Sequence, residues 1–180
     1  MLRVFALASS LFALMCISAS SSQARTVEAG SVWTGVGLGP GFALPAGAPI
    51  DGRSSDNFLI LLGQIEYAFS KSWQVVGSMD FGFAGSGLLR FHAGGKYRIG
   101  NLKMPISPYF QLQLTGGGLF DVRDEDYFLL GARLTSGIDY FALANLAVGL
   151  SAAADLNTTL GGAHIFFGTF DVLAMVSFGF

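Results

Sequence analysis

The sequence predicts an all-β fold, an eight-stranded antiparallel up-and-down transmembrane β-barrel preceded by a signal peptide. Three observations lead there. The stretch Val172 to Phe180 alternates Val172, Ala174, Val176, Phe178 and Phe180 against Leu173, Met175, Ser177 and Gly179. That is the two-residue period of a strand. The chain is 52% hydrophobic and only 12% charged, which suggests a lipid solvent. Yet beyond the first two dozen residues no run of 18 apolar residues could form a spanning helix. A closed barrel is the other structure that satisfies every backbone group in lipid.

Met1 to Ala24 reads as the signal peptide. Arg3 supplies the charge, Val4 to Ile17 the apolar run, and Ser22-Gln23-Ala24 the small residues before cleavage. The barrel domain is expected over residues 25–180. Cys16, the sole cysteine, would leave with the signal, so no disulfide or thiolate metal site is expected. Without Arg3, nine basic residues face twelve acidic ones, a net of −3 that gives no basic surplus for nucleic acid.

Eight segments follow in order. Gly30–Gly41 sets Val32, Thr34, Val36 and Leu38 against Trp33 and a row of glycines, with Pro40 near its end. Pro45–Asp56 is a loop by its Pro, Gly, Asp and Ser content. Phe58–Phe69 sets Leu59, Leu61, Ile65, Tyr67 and Phe69 against Gln64 and Glu66, and Ser70-Lys71-Ser72 turns the chain. Trp73–Phe83 sets Trp73, Val75, Met79, Phe81 and Phe83 against Gln74, Ser78 and Asp80, before a turn at Ala84–Gly87. Leu88–Ile99 sets Leu89, Phe91, Ala93, Tyr97 and Ile99 against Arg90, His92, Lys96 and Arg98. After a connection at Gly100–Ser107, Pro108–Gly118 sets Phe110, Leu112 and Leu114 against Gln111, Gln113 and Thr115. An acidic loop is expected at Phe120–Tyr127. Phe128–Phe141 sets Leu130, Ala132, Leu134, Ile138 and Tyr140 against Arg133, Thr135 and Asp139, with a turn at Ala142–Asn145. Leu146–Asp155 sets Leu146, Val148, Leu150 and Ala152 against Ser151 and Asp155, and a loop is expected at Leu156–Ala163. Ile165–Phe180 closes the series, with Thr169 and Asp171 opposite Phe170 and Val172.

Nine charged residues fall inside these segments: Glu66, Asp80, Arg90, Lys96, Arg98, Arg133, Asp139, Asp155 and Asp171. Each lies opposite its apolar row. An Arg or Lys on the lipid face at mid-bilayer would cost about 2–4 kcal/mol, so the alternation is what a lipid-facing wall requires. An eight-stranded barrel has room inside only for side chains. Glu66, Asp80, Arg90, His92, Lys96, Arg98, Arg133 and Asp139 are therefore expected to form an ion-paired interior network, since buried charges must be paired. The aromatics Phe69, Trp73, Tyr97, Tyr109, Tyr127, Tyr140 and Phe180 are expected at the membrane interfaces.

The apolar C-terminal strand ending on Phe180, with the Gly and aromatic texture from Gly30 onward, resembles the small eight-stranded outer-membrane barrels of the OmpA and OmpX kind. The resemblance implies a bacterial outer-membrane location among outer-membrane lipids and lipopolysaccharide. It implies that Phe178 and Phe180 belong to the signal read by the barrel-assembly machinery. It also implies a periplasmic C-terminus, with the loops after the odd-numbered strands facing outward. The expected function is non-enzymatic: a plugged barrel with an envelope-structural or surface-interaction role and no cofactor or metal. The alternatives are passage of small apolar solutes from a pocket under Ala43–Ile50 and, third, lipid-modifying catalysis.

Motifs for chemistry are weak. Neither His92 nor His164 begins a His-x-Ser pattern, and a triad of Ser151, His164 and Asp155 rests on spacing alone. Asp80-Phe81-Gly82 lacks every other kinase element, and Gly94-Gly95-Lys96 is followed by Tyr97, which is no phosphate loop. The acidic run Asp121, Asp124, Glu125 and Asp126 lacks calcium-loop spacing and reads as a solvated segment.

Overall fold

A computed structural model describes residues 27–44, 57–83, 87–99, 105–122, 125–160 and 166–180. The expected signal peptide and His164, with most of the first loop, lie outside these residues.

The strands are β1 (Val32–Leu44), β2 (Asn57–Ala68), β3 (Trp73–Phe83), β4 (Gly87–Arg98), β5 (Ile106–Val122), β6 (Glu125–Leu143), β7 (Leu146–Leu160) and β8 (Phe166–Gly179). Each pairs antiparallel with its sequence neighbour, and β8 closes on β1. Following registered partners once around from Trp33 leads through Glu66, Val76, Gly94, Gln113, Arg133, Asp155 and Thr169 to Ala43. The circuit returns ten residues further along β1, the stagger that closure with tilted strands imposes.

Short connections follow from local chemistry. At the β2–β3 turn, Ser70 Oγ accepts hydrogen bonds from the Trp73 amide at 2.9 Å and the Ser72 amide at 3.3 Å. A hydroxyl here replaces the backbone partners that the turn removes. Phe180 continues the closing seam. Its amide donates to Val32 O at 2.8 Å, and the Val32 amide donates to Phe180 O at 3.2 Å.

The structure corrects several expected boundaries. Pro40 is not near the end of β1, which runs on to Leu44. The β1–β8 ladder skips Gly39 and Pro40 and resumes at Gly41 in the same register, because proline has no amide to donate. Phe120–Tyr127 is not a loop: β5 reaches Val122 and β6 starts at Glu125, with Leu119 paired to Tyr127 and Val122 to Glu125 across an irregularity. Acidic residues do not end an antiparallel ladder, whose hydrogen bonds are backbone to backbone. Leu156–Leu160 is strand as well. Its polar residues hide an intact alternation, with Asn157 and Thr159 buried and Leu156 and Leu160 exposed.

Several glycines on the inner face let neighbouring backbones approach. A Cβ at Gly94 would overlap the Leu112 carbonyl and stand 2.6 Å from Gln113 Cα. At Gly95, one residue on and outward-facing, a Cβ would meet nothing within 4 Å. Gly94→Ala should therefore lower stability by about 1–3 kcal/mol, the usual cost of overpacking. Gly95→Ala should be neutral or slightly stabilising through the unfolded chain. Urea titration in detergent micelles, followed by tryptophan fluorescence, separates the two; equal midpoints would contradict the backbone contact.

Candidate functional site

The outward rows are apolar and exposed: Val36 and Leu38 on β1, Leu59, Leu61 and Ile65 on β2, Phe110, Leu112 and Leu114 on β5. The nine charged residues named from the sequence, Glu66 to Asp171, face inward, and none is more than 4% exposed. This inverts a water-soluble barrel. A wall of this kind matches hydrocarbon, and the ionic residues along the axis must find partners inside.

They form two groups. Nearer the chain termini, Lys96 Nζ donates to Glu66 Oε1 at 2.6 Å and lies 3.6 Å from Asp139 Oδ2. Arg98 donates from Nη1 to Asp139 Oδ2 at 2.6 Å, from Nη2 to Glu66 Oε2 at 3.2 Å and from Nε to Gln74 Oε1 at 2.8 Å. Two cations thus share two carboxylates. Lys96 Nζ also stands 3.9 Å from the centre of the Tyr109 ring, a cation–π contact in a desolvated site.

Nearer the opposite end lies a larger group. Arg90 donates from Nε and Nη2 to the two carboxylate oxygens of Asp80, at 2.9 and 2.8 Å, and from Nη1 to Thr169 at 2.8 Å. Asp155 lies 3.2 Å from Arg90 Nη1. Arg133 donates from Nη1 to Asp155 at 2.7 Å and to Asp80 at 3.2 Å, and from Nη2 to Asp171 at 2.9 Å. His92 Nε2 is 3.0 Å from Asp80 Oδ2, and Nδ1 is 2.9 Å from Thr115 Oγ1. The imidazole therefore donates through Nε2, since a carboxylate only accepts. The planar fork of each Arg reaches three acids from nitrogens in fixed, separated directions, whereas the Lys96 ammonium meets its two acids from a single nitrogen.

Between the two groups lies a neutral polar stretch. Gln64, Ser78, Gln111, Gln113, Thr135 and Ser151 line a cavity with about 10 Å³ of space for water centres, room for a single molecule. Thr135 Oγ1 is buried with no protein partner, the kind of group such a water satisfies. Apolar side chains close the stack at both ends. Val27, Trp33, Ala68, Phe141 and Ala147 cluster at the terminal end, and Leu88, Leu129 and Phe167 at the other. A third apolar cluster, Ile60, Leu62, Leu173 and Met175, fills the side of the lumen where β1 carries glycines.

All eight residues expected in the interior network lie inside the barrel and are ion-paired or hydrogen-bonded. Asp155 and Asp171, on the polar face of β7 and β8, belong with them through Arg133 and Arg90. Gln74, Thr115 and Thr169 extend the network, with no signal beyond their parity. The interface set needs correction. Trp73, Tyr97 and Phe69 face outward, but Tyr109 is buried over Lys96 and Tyr127 packs toward Leu88 and Leu129. Both share the parity of the inward rows, and the cations and apolar caps of the lumen need ring faces. Asp155 is engaged through Oδ2 by Arg133 and Arg90, while His164 of the Ser151, His164 and Asp155 set lies outside the described residues. Among the described residues, no group of three or more His, Cys, Asp or Glu side chains could hold a metal ion.

No family model and no curated protein matches this sequence. Solved structures do match in fold. Neisserial surface protein A superposes with a TM-score of 0.66 at 13% identity, over 83% of this chain and 98% of that one. The outer membrane protein OprG of Pseudomonas aeruginosa gives 0.54 at 14% identity, over 88% and 99%. The N-terminal β-barrel domain of OprF from the same organism gives 0.56 at 15% identity, over 86% and 100%. With its closed antiparallel wall, apolar outside and ionic inside, this chain has the fold of the small eight-stranded outer-membrane β-barrels.

Proposed function

We propose that this protein is a non-enzymatic barrel of the bacterial outer membrane, closed to solutes along its axis, with a structural or surface-interaction role carried by the end opposite its termini. The observation that supports this reading is the filled lumen. Two ion-paired layers and two apolar caps occupy the lumen, with a cavity for one water between the layers. Opening a path along the axis would require breaking buried pairs, at several kcal/mol each. In this reading the termini face the periplasm, and the long β5–β6 hairpin rises on the outer side.

Planar-bilayer recording tests the closed lumen. The purified barrel should give no reproducible conductance steps, whereas stable single-channel openings would favour transport. Orientation is tested separately. Arg123→Cys, at the connection between β5 and β6, should react with an impermeant maleimide on intact cells. Labelling only after the outer membrane is breached would reverse the topology.

A further inference from the structure

The two caps of the lumen are built differently. Leu88, Leu129 and Phe167 come from β4, β6 and β8, so their cap moves only with the wall. At the terminal end Trp33, Ala68, Phe141 and Ala147 also belong to strands, but Val27 precedes β1. It is nonetheless only 3% exposed, packed among side chains from β1, β2, β6 and β7. A short strap carries it there. Gly30 turns the chain with a φ of +90°. Its amide donates to Ala68 O at 2.6 Å, and the Ala68 amide donates to Ser31 O at 3.0 Å. The Ser31 amide and hydroxyl both donate to Glu28 O, at 3.2 and 2.7 Å. Between these anchors Glu28, Ala29 and Gly30 are exposed. A Cβ at Gly30 would meet nothing within 4 Å, so the glycine answers to backbone conformation alone. Under the strap the Trp33 and Phe141 rings meet edge-on at 5.6 Å, and Arg98 Cζ lies 5.6 Å from the centre of the Phe141 ring. The cap therefore rests directly on the terminal ionic group.

We propose that residues 27–30 are a releasable stopper for the terminal mouth of the barrel. Val27 swings out about Gly30 while the wall stays folded, uncovering the apolar floor that lies over Lys96 and Arg98. One buried valine and the two bonds to Glu28 O hold the tip of the strap, so it opens more easily than any strand leaves the sheet. The left-handed turn at Gly30 keeps Val27 aimed back into the mouth, which makes reclosure the favoured state. The opposite cap has no such element among the described residues, so the two ends of the lumen differ in how they admit water. In the orientation under Proposed function the stoppered mouth faces the periplasm; the stopper itself does not rest on that reading.

The test is thiol labelling of the full chain, purified in micelles, with Cys16→Ala and one cysteine added. Val27→Cys should react with a polar maleimide many times faster than the barrel unfolds, while heat-modifiable gel mobility stays that of the folded form. Leu129→Cys, in the opposite cap, should react only at the unfolding rate; if that variant fails to fold, Phe167→Cys takes its place. Gly30→Ala should speed the labelling of Val27→Cys about tenfold, because a side chain disfavours the left-handed turn. Gly30→Asn, whose residue tolerates that conformation, should stay near the parent rate. Neither change should alter the labelling of the opposite cap. Equal rates at the two caps would mean that the strap opens only with the wall. Immediate labelling of Val27→Cys would mean that the valine is not docked. An unchanged rate in Gly30→Ala would mean that the turn does not hold it. Each of these three results overturns the proposal. Micelles have no sides, so a failure here is distinct from a failure of the cysteine-labelling test of orientation.

Discussion

Arg90→Met should lower the stability of the folded barrel by about 3–5 kcal/mol, the range for removing one partner from a buried ionic set. Arg90 is fully buried and its fork reaches Asp80, Thr169 and Asp155, with Asp171 at 3.9 Å. Its loss leaves three carboxylates to Arg133 and His92 beside a cavity with room for a single water. Met matches the aliphatic stem, so the cost reports charge rather than a cavity. Arg90→Lys should recover only part of the loss, because one ammonium nitrogen cannot reach all the acceptors that Nε, Nη1 and Nη2 now serve. Asp80→Asn combined with Arg90→Met should be more stable than Arg90→Met alone, since one unpaired carboxylate has gone with its partner. Urea titration in micelles, read by Trp33 and Trp73 fluorescence, measures all three. A wild-type midpoint for Arg90→Met would mean that water reaches the group and that the lumen is open.

The inward face was legible in the sequence because charge is decisive there. In β4, Arg90, His92, Lys96 and Arg98 share one parity and Leu89, Phe91, Ala93 and Tyr97 the other, and all of them lie as that parity requires. Parity says nothing where both rows are apolar. Phe58 to Leu62 alone reads the same on either face; only the parity carried back from Gln64 and Glu66 assigns Ile60 and Leu62 to the lumen and Leu59 and Leu61 to the wall, where they lie. Height along the axis is equally hidden. Arg98 and Asp139 are 41 residues apart in sequence and 2.6 Å apart in space, through a ten-residue stagger that no local pattern records. The strand tips were misread for a related reason. At the tips, acidic and other polar residues stand on rows that the apolar pattern marks elsewhere, so the period is masked although backbone pairing continues.

The outward row carries the other large effect, and it varies with depth. Leu61 lies near the middle of β2, registered between Leu38 and Phe81, and is 43% exposed. Leu61→Arg should cost about 2–4 kcal/mol in vesicles, the lipid-face cost at the midplane. Tyr67→Arg, two turns of the pleat beyond Gly63 toward the terminal end of the same row, should cost only about 0–1 kcal/mol, because an arginine near the interface keeps its hydration. A folding titration of both variants in phospholipid vesicles measures the gradient. Equal costs at the two positions would mean that the apolar row senses no bilayer depth, and the wall would then have to be covered by protein rather than by lipid. A steep gradient from Leu61 to Tyr67 cannot come from packing against neighbours, since both side chains are about half exposed. It would have to come from the solvent on the far side of the wall.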